Sequence, residues 1–110
     1  MTWDCNRAMA AKLAPGVTCA AVFAEGAKVE RAFGLDPRPA GRTGHGYRNT
    51  GGLSIHPDCH TVLEPGMVIS VEPMFANEYG YFDLEDQYLI TEKGAECLHL
   101  PAKESLPIIT

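Results

Sequence analysis

Residues 63–86 read LEPGMVISVEPMFANEYGYFDLED, and the fold turns on how they pair. Two apolar runs of strand character, residues 67–71 and 81–90, bring Glu72 and Glu85 into positions where a core strand avoids charge. If residues 73–81 connect a hairpin, its midpoint falls between Glu78 and Tyr79, and Glu72 lands opposite Glu85. Side chains alternate along strands, so Ser70, Glu72, Glu85 and Gln87 share one face while Met67, Ile69 and Val71 take the other. Facing carboxylates on adjacent strands repel, and desolvation sharpens the conflict. A divalent cation bridged by the carboxylates, with an imidazole as a further ligand, removes it. A shared proton would also remove it, and a slipped register would abolish it.

The rest of the chain supplies support for such a hairpin. Residues 3–13 have the apolar spacing of a helix, stopped by Ala14-Pro15-Gly16. Thr18 stands as the N-cap of a second helix over residues 19–33, with Val22, Val29 and Phe33 on one stripe and Gly34 ending it. Gly26 either weakens that helix or permits close packing. Residues 35–44 hold prolines and glycines among charges and read as a loop. His45 lies between Gly44 and Gly46, which let backbone approach whatever the imidazole touches. Leu53-Ser54-Ile55 has the character of a short strand, Leu63-Glu64-Pro65-Gly66 of a type II turn, and residues 91–94 of another turn. Residues 95–100 form a last strand and residues 101–110 an extended strap. The expected class is α+β, two helices packed on a mostly antiparallel sheet.

Composition narrows the function. A chain of 110 residues suits one domain, and a net charge of −5 with nine Lys and Arg and no basic run argues against nucleic acid or an anionic membrane surface. No apolar run is long enough to span a bilayer. Cys5, Cys19, Cys59 and Cys97 are widely spaced with no CxxC, and MTWDCNRAMAAKL lacks the apolar core of a secretory signal. Reduced cysteines and a cytoplasmic location are expected.

Three motifs then carry a likeness. Gly44-His45-Gly46, residues 63–73 (LEPGMVISVEP), and Leu84-Glu85-Asp86 followed by LITEKG at residues 89–94 resemble, in order and spacing, the C-terminal part of the pita-bread hydrolases. That superfamily includes methionine aminopeptidase, aminopeptidase P, prolidase and creatinase. The segment around Leu13-Ala14-Pro15-Gly16-Val17-Thr18 is similar to the one preceding those motifs. The resemblance implies divalent metal ions, commonly manganese, cobalt, zinc or iron, two in the complete site, acting on a small peptide or small amide. It implies His45, Glu72 and Glu85 as ligands, with Glu72 also the proton acceptor. Tyr47 and Arg48, beside the site, are candidates for contact with a substrate carboxylate.

The sequence departs from the family pattern twice. The family supplies two aspartate ligands on strands ahead of the first helix, whereas Asp4, Asp36, Asp58, Asp83 and Asp86 have no such context. The expectation is therefore a single domain over residues 1–110 that forms the C-terminal part of a catalytic domain, truncated or split, with impaired activity alone and a homo-oligomer or complementing N-terminal chain as partner. Second, the place of a further family histidine is filled by Thr50-Gly51-Gly52, leaving His56 or His60 as replacements and His56 as the second catalytic candidate. The run at residues 61–74 is closer to creatinase, which works without metal. An amidinohydrolase of that type and a non-catalytic interaction module stand as alternatives to the metallopeptidase reading. His60 suits a solvated loop and His99 a structural role, while Asp83 and Asp86 are either supports for the ligands or part of a wet strand face.

Overall fold

The computed structural model describes residues 2–35, 42–47, 52–77 and 80–99. The expectations for most of the 35–44 loop, for Arg48, Thr50 and Gly51, and for the 101–110 strap lie outside them. Helix α1 spans Thr2–Lys12 and α2 spans Cys19–Ala32. Among the described residues six strands follow, β1 (Gly44–Gly46), β2 (Val68–Val71), β3 (Met74–Asn77), β4 (Gly80–Asp83), β5 (Asp86–Thr91) and β6 (Gly94–Cys97). Among the described residues, no helix is long and apolar enough to cross a membrane.

Local chemistry explains both ends of α2. Thr18 is extended at the N-cap, and its Oγ1 accepts the Ala21 N–H at 3.1 Å. At the far end Gly34 takes φ +79, so its N–H reaches Arg31 O and the Leu35 N–H reaches Glu30 O. This is a Schellman closure. Gly26 serves packing: a Cβ there would lie 2.8 Å from Met9 Sδ and 3.0 Å from Cys5 Sγ, so α1 and α2 cross closely. Phe33 departs from the expected stripe, since the closing turn leaves it 56% exposed.

The sheet order is β1-β2-β5-β6, antiparallel throughout. The Glu64-to-Met67 turn launches β2, with Gly66 at φ +95 and the Met67 N–H closing onto Glu64 O. Ile69, Val71, Tyr88 and Ile90 face the helices and join Cys5, Met9, Leu13, Val22 and Phe23 in the core. All four cysteines are free thiols.

The hairpin register is the expected one, but the strands are divided differently. Val71 pairs with Asp86 and Met74 with Asp83, so the ladder keeps one register on either side of Glu72 and Glu85. Residues 73–81 are largely a second ladder, β3 with β4, not a simple connection. The proposed strand over residues 81–90 breaks at Leu84-Glu85. Pro73 explains the gap, because it has no N–H to donate to a ladder. Leu53-Ser54-Ile55 contributes one bridge, Ser54 to His45, and the last strand ends at Cys97.

Candidate metal centre

The gap in the ladder creates the site. Glu72 and Glu85 are both outside the strands and face each other where β2 and β5 part. His45 in β1 pairs with Ser70, two residues before Glu72, which places its imidazole on the face opposite the helices. One ligand atom from each of His45, Glu72 and Glu85 lies within 4.8 Å of the other two. Among the described residues, no other such group of three metal-binding side chains occurs.

Gly44 makes this approach possible. A Cβ at that position would lie 2.3 Å from Ser70 O and 2.7 Å from Ile55 Cγ1. β1 is held on both edges, by the β2 ladder and by the Thr43 N–H to Ile55 O and Gly46 N–H to Leu53 O bonds. The glycine therefore serves backbone packing under the imidazole.

The electrostatics call for a cation. His45 Nδ1 is 3.2 Å from Gly46 O, and a carbonyl only accepts, so the proton sits on Nδ1 and donates to that oxygen. In the neutral ring Nε2 then presents a lone pair to Glu85 Oε2 at 3.3 Å. Two lone pairs facing at that distance need a proton or a metal ion between them. Glu72 is pushed up to about 7, first by burial, then by a hydrogen bond and charge from Asp83 and by the charge of Glu85, with His45 opposing. One imidazole nitrogen and two carboxylates suit a single divalent ion of the zinc type with an open position.

Other candidates occupy different settings. Tyr47, 48% exposed, lies on the His45 face and lines a pocket of about 400 Å³ with Val68, Gln87 and Leu98. His56 accepts the Asp58 N–H on Nδ1 at 3.1 Å, and its ring centroid is 6.4 Å from that of Phe23. It is not part of the three-residue group. Arg48 lies outside the described residues. His60 is exposed, and His99 Nε2 accepts the Gln87 N–H at 3.1 Å. Asp83 is exposed and acts on Glu72, whereas Asp86 is buried and paired with Arg7 at 2.8 Å. The wet-face alternative therefore fails for Asp86.

Comparison with known proteins agrees with the geometry. The pattern of metallopeptidase family M24 matches residues 1–92. The chain belongs to that family. This M24 chain is 34% identical over 95 residues to creatinase from Bacillus sp. (strain B-0618), covering 74% of the chain and 23% of that protein. It is 33% identical over 98 residues to the agropine synthesis cyclase of Rhizobium rhizogenes, covering 86% of the chain and 25% of that protein. The chain thus spans about a quarter of the length of these curated relatives. Prolidase from Pyrococcus furiosus superposes with a TM-score of 0.83 at 26% identity, over 93% of this chain and 31% of that one. Two helices on an antiparallel sheet are thus part of the pita-bread fold. M24 proteins are generally dependent on divalent metal ions, and the cluster in this chain has the matching donor chemistry.

Sequence reasoning missed the contribution of α1. Asn6 and Arg7 lie beside the Cys5-Met9-Leu13 stripe, and Asn6 is fully buried. A polar residue within an apolar helical face was the available signal.

Proposed function

We propose that the chain is the C-terminal part of a metal-dependent hydrolase of the Xaa-Pro aminopeptidase and prolidase type, contributing His45, Glu72 and Glu85 to its centre. The observation that carries this reading is the convergence of those three side chains at the gap in the ladder. A bound divalent ion would supply Lewis acidity toward the scissile carbonyl and make water more acidic. Glu72 takes a proton from the attacking water and delivers it to the nitrogen of the leaving amine as the C–N bond breaks. Tyr47 borders the pocket on the same face and would contact substrate, with Arg48 as a partner for a substrate carboxylate and His56 steadying the developing oxyanion.

Three side chains serve one ion, so a two-ion centre draws its remaining carboxylates from outside these residues. On this reading the chain alone has impaired activity, and a complementing N-terminal segment restores it. The test joins the chain to a segment bearing two strand-borne aspartates and measures Xaa-Pro dipeptide hydrolysis with Mn²⁺. Cleavage abolished by Glu72→Gln supports the proposal. A metal-free amidinohydrolase is the second reading, favoured by the 34% identity to creatinase. Turnover of an amidino substrate in excess chelator would establish it, and a metal-retaining fusion inert toward both substrates would sink both.

A further inference from the structure

We infer that Asn6 is a positioning residue whose side-chain amide ties together the two peptide units bearing Glu72 and Glu85. Its Nδ2 donates to Val71 O at 3.4 Å and to Leu84 O at 3.5 Å, across sequence separations of 65 and 78 residues. Those carbonyls belong to the residues immediately before Glu72 and Glu85. A peptide unit is planar, so holding its oxygen also restrains the Cα that follows. Both bonds start from one nitrogen with two hydrogens, which an amide has and a hydroxyl lacks.

The orientation of the amide is set from its other end. Asn6 Oδ1 accepts from Arg7 Nη2, whose two hydrogens are shared with Asp86 Oδ2 and Tyr88 Oη, each at 2.8 Å. Flipping the amide would turn its NH₂ toward a cation and its oxygen toward two carbonyls. Asn6 is 0% exposed, so water cannot take over either role.

The location gives the tie its purpose. Strand pairing fixes the spacing of β2 and β5 up to Val71 and Asp86, and of β3 and β4 from Met74 and Asp83. Between these pairs the Leu84 N–H to Pro73 O bond at 3.3 Å is the backbone link, and Asn6 adds a bridge from the helix side. The Val71-Glu72 peptide unit is held at its other edge, where the Glu72 N–H donates to Thr43 O at 2.7 Å. Helix α1 also reaches the third ligand segment, since Thr43 Oγ1 donates to Met9 Sδ at 3.4 Å, two residues before His45. One helix thus touches all three segments that carry the candidate ligands. The consequence for metal affinity rests on the function proposed above, whereas the tie itself does not.

The test compares the full chain with Asn6→Leu, which keeps bulk and removes both donors, and with Leu13→Ala, which weakens core packing just past the end of α1 and leaves the donors in place. Carbonyl ¹³C resonances of Val71 and Leu84 are read without metal, and Co²⁺ is then titrated while following its visible absorption. Asn6→Leu is expected to move both resonances, change the Co²⁺ spectrum and weaken Co²⁺ binding by at least about tenfold, the usual effect of losing a group that orients a ligand. Leu13→Ala should leave binding within about twofold of wild type. If Asn6→Leu does not fold, Asn6→Asp keeps the shape and should give the same result. Unchanged resonances, unchanged Co²⁺ binding, or equal weakening by Leu13→Ala would overturn the inference. If the wild type takes up no Co²⁺, the metal reading falls, and the carbonyl resonances alone decide the tie.

Discussion

Replacing Gly44 by alanine tests the packing beneath the site most sharply. Gly44 is not among the glycines with positive φ, so alanine meets no backbone penalty there and the effect is one of space. The new Cβ would sit 2.3 Å from Ser70 O, and a backbone oxygen within a ladder cannot swing aside. Relief requires β1 to retreat by about 1 Å, given normal carbon contacts near 3.5 Å. That movement stretches the 2.7 Å bond from the Glu72 N–H to Thr43 O. Overpacking costs about 1–3 kcal/mol and each weakened backbone bond about 1 kcal/mol. Reduced freedom of the unfolded chain returns less than about 1 kcal/mol. A net loss of about 3 kcal/mol would lower Tm by roughly 15 °C in a domain of this size. Urea and thermal unfolding measure it. Gly26→Ala is the comparison, because its Cβ would meet side-chain atoms of Met9 and Cys5 at 2.8–3.0 Å and no backbone oxygen, so repacking and helix propensity offset part of the cost and the loss should be smaller than for Gly44→Ala. Gly44→Ala within about 0.5 kcal/mol of wild type, a typical surface effect, would show that β1 has room for a Cβ against Ser70 O.

Two further outcomes follow from the same structure. Arg7→Met removes the 2.8 Å partner of the Asp86 carboxylate, 2% exposed, leaving it His99 Nδ1 at 3.7 Å, and should destabilise the chain by about 2–3 kcal/mol; Asp86→Asn, which keeps an acceptor for Arg7, should cost less in the same urea experiment. In the metal-free chain Glu72 lies near 7 against an ordinary 4.5, so the folded state favours its protonated form. Its stabilising contribution is complete below about 4.5 and is lost as pH rises through about 7. Urea midpoints at pH 5 and pH 8 should therefore fall further for wild type than for Glu72→Gln, and equal falls would contradict the assignment.

Much of this arrangement was legible in the sequence because local signals agreed. Thr18 and Gly34 bracket α2, Pro65-Gly66 starts β2, and strand alternation gives the register that sets Glu72 against Glu85. His45 was marked by its glycines, although the need for Gly44 comes from Ser70 and Ile55, distant in sequence. The opening of the ladder was harder to see, since apolar residues continue through it and the break depends on how Pro73 meets its partner strand. Asn6 was hidden for a related reason. Its two acceptors are backbone carbonyls far along the chain, and no side-chain pattern advertises them.

Metal content after dialysis against divalent cations decides whether these side chains hold an ion, using wild type, Glu72→Gln, Glu85→Gln and His45→Ala. About one tightly held ion per wild-type chain is expected, as three protein ligands and an open position allow, with marked loss in each variant. Wild-type chains that hold no divalent metal even at high supply, or variants that retain as much as wild type, would contradict it.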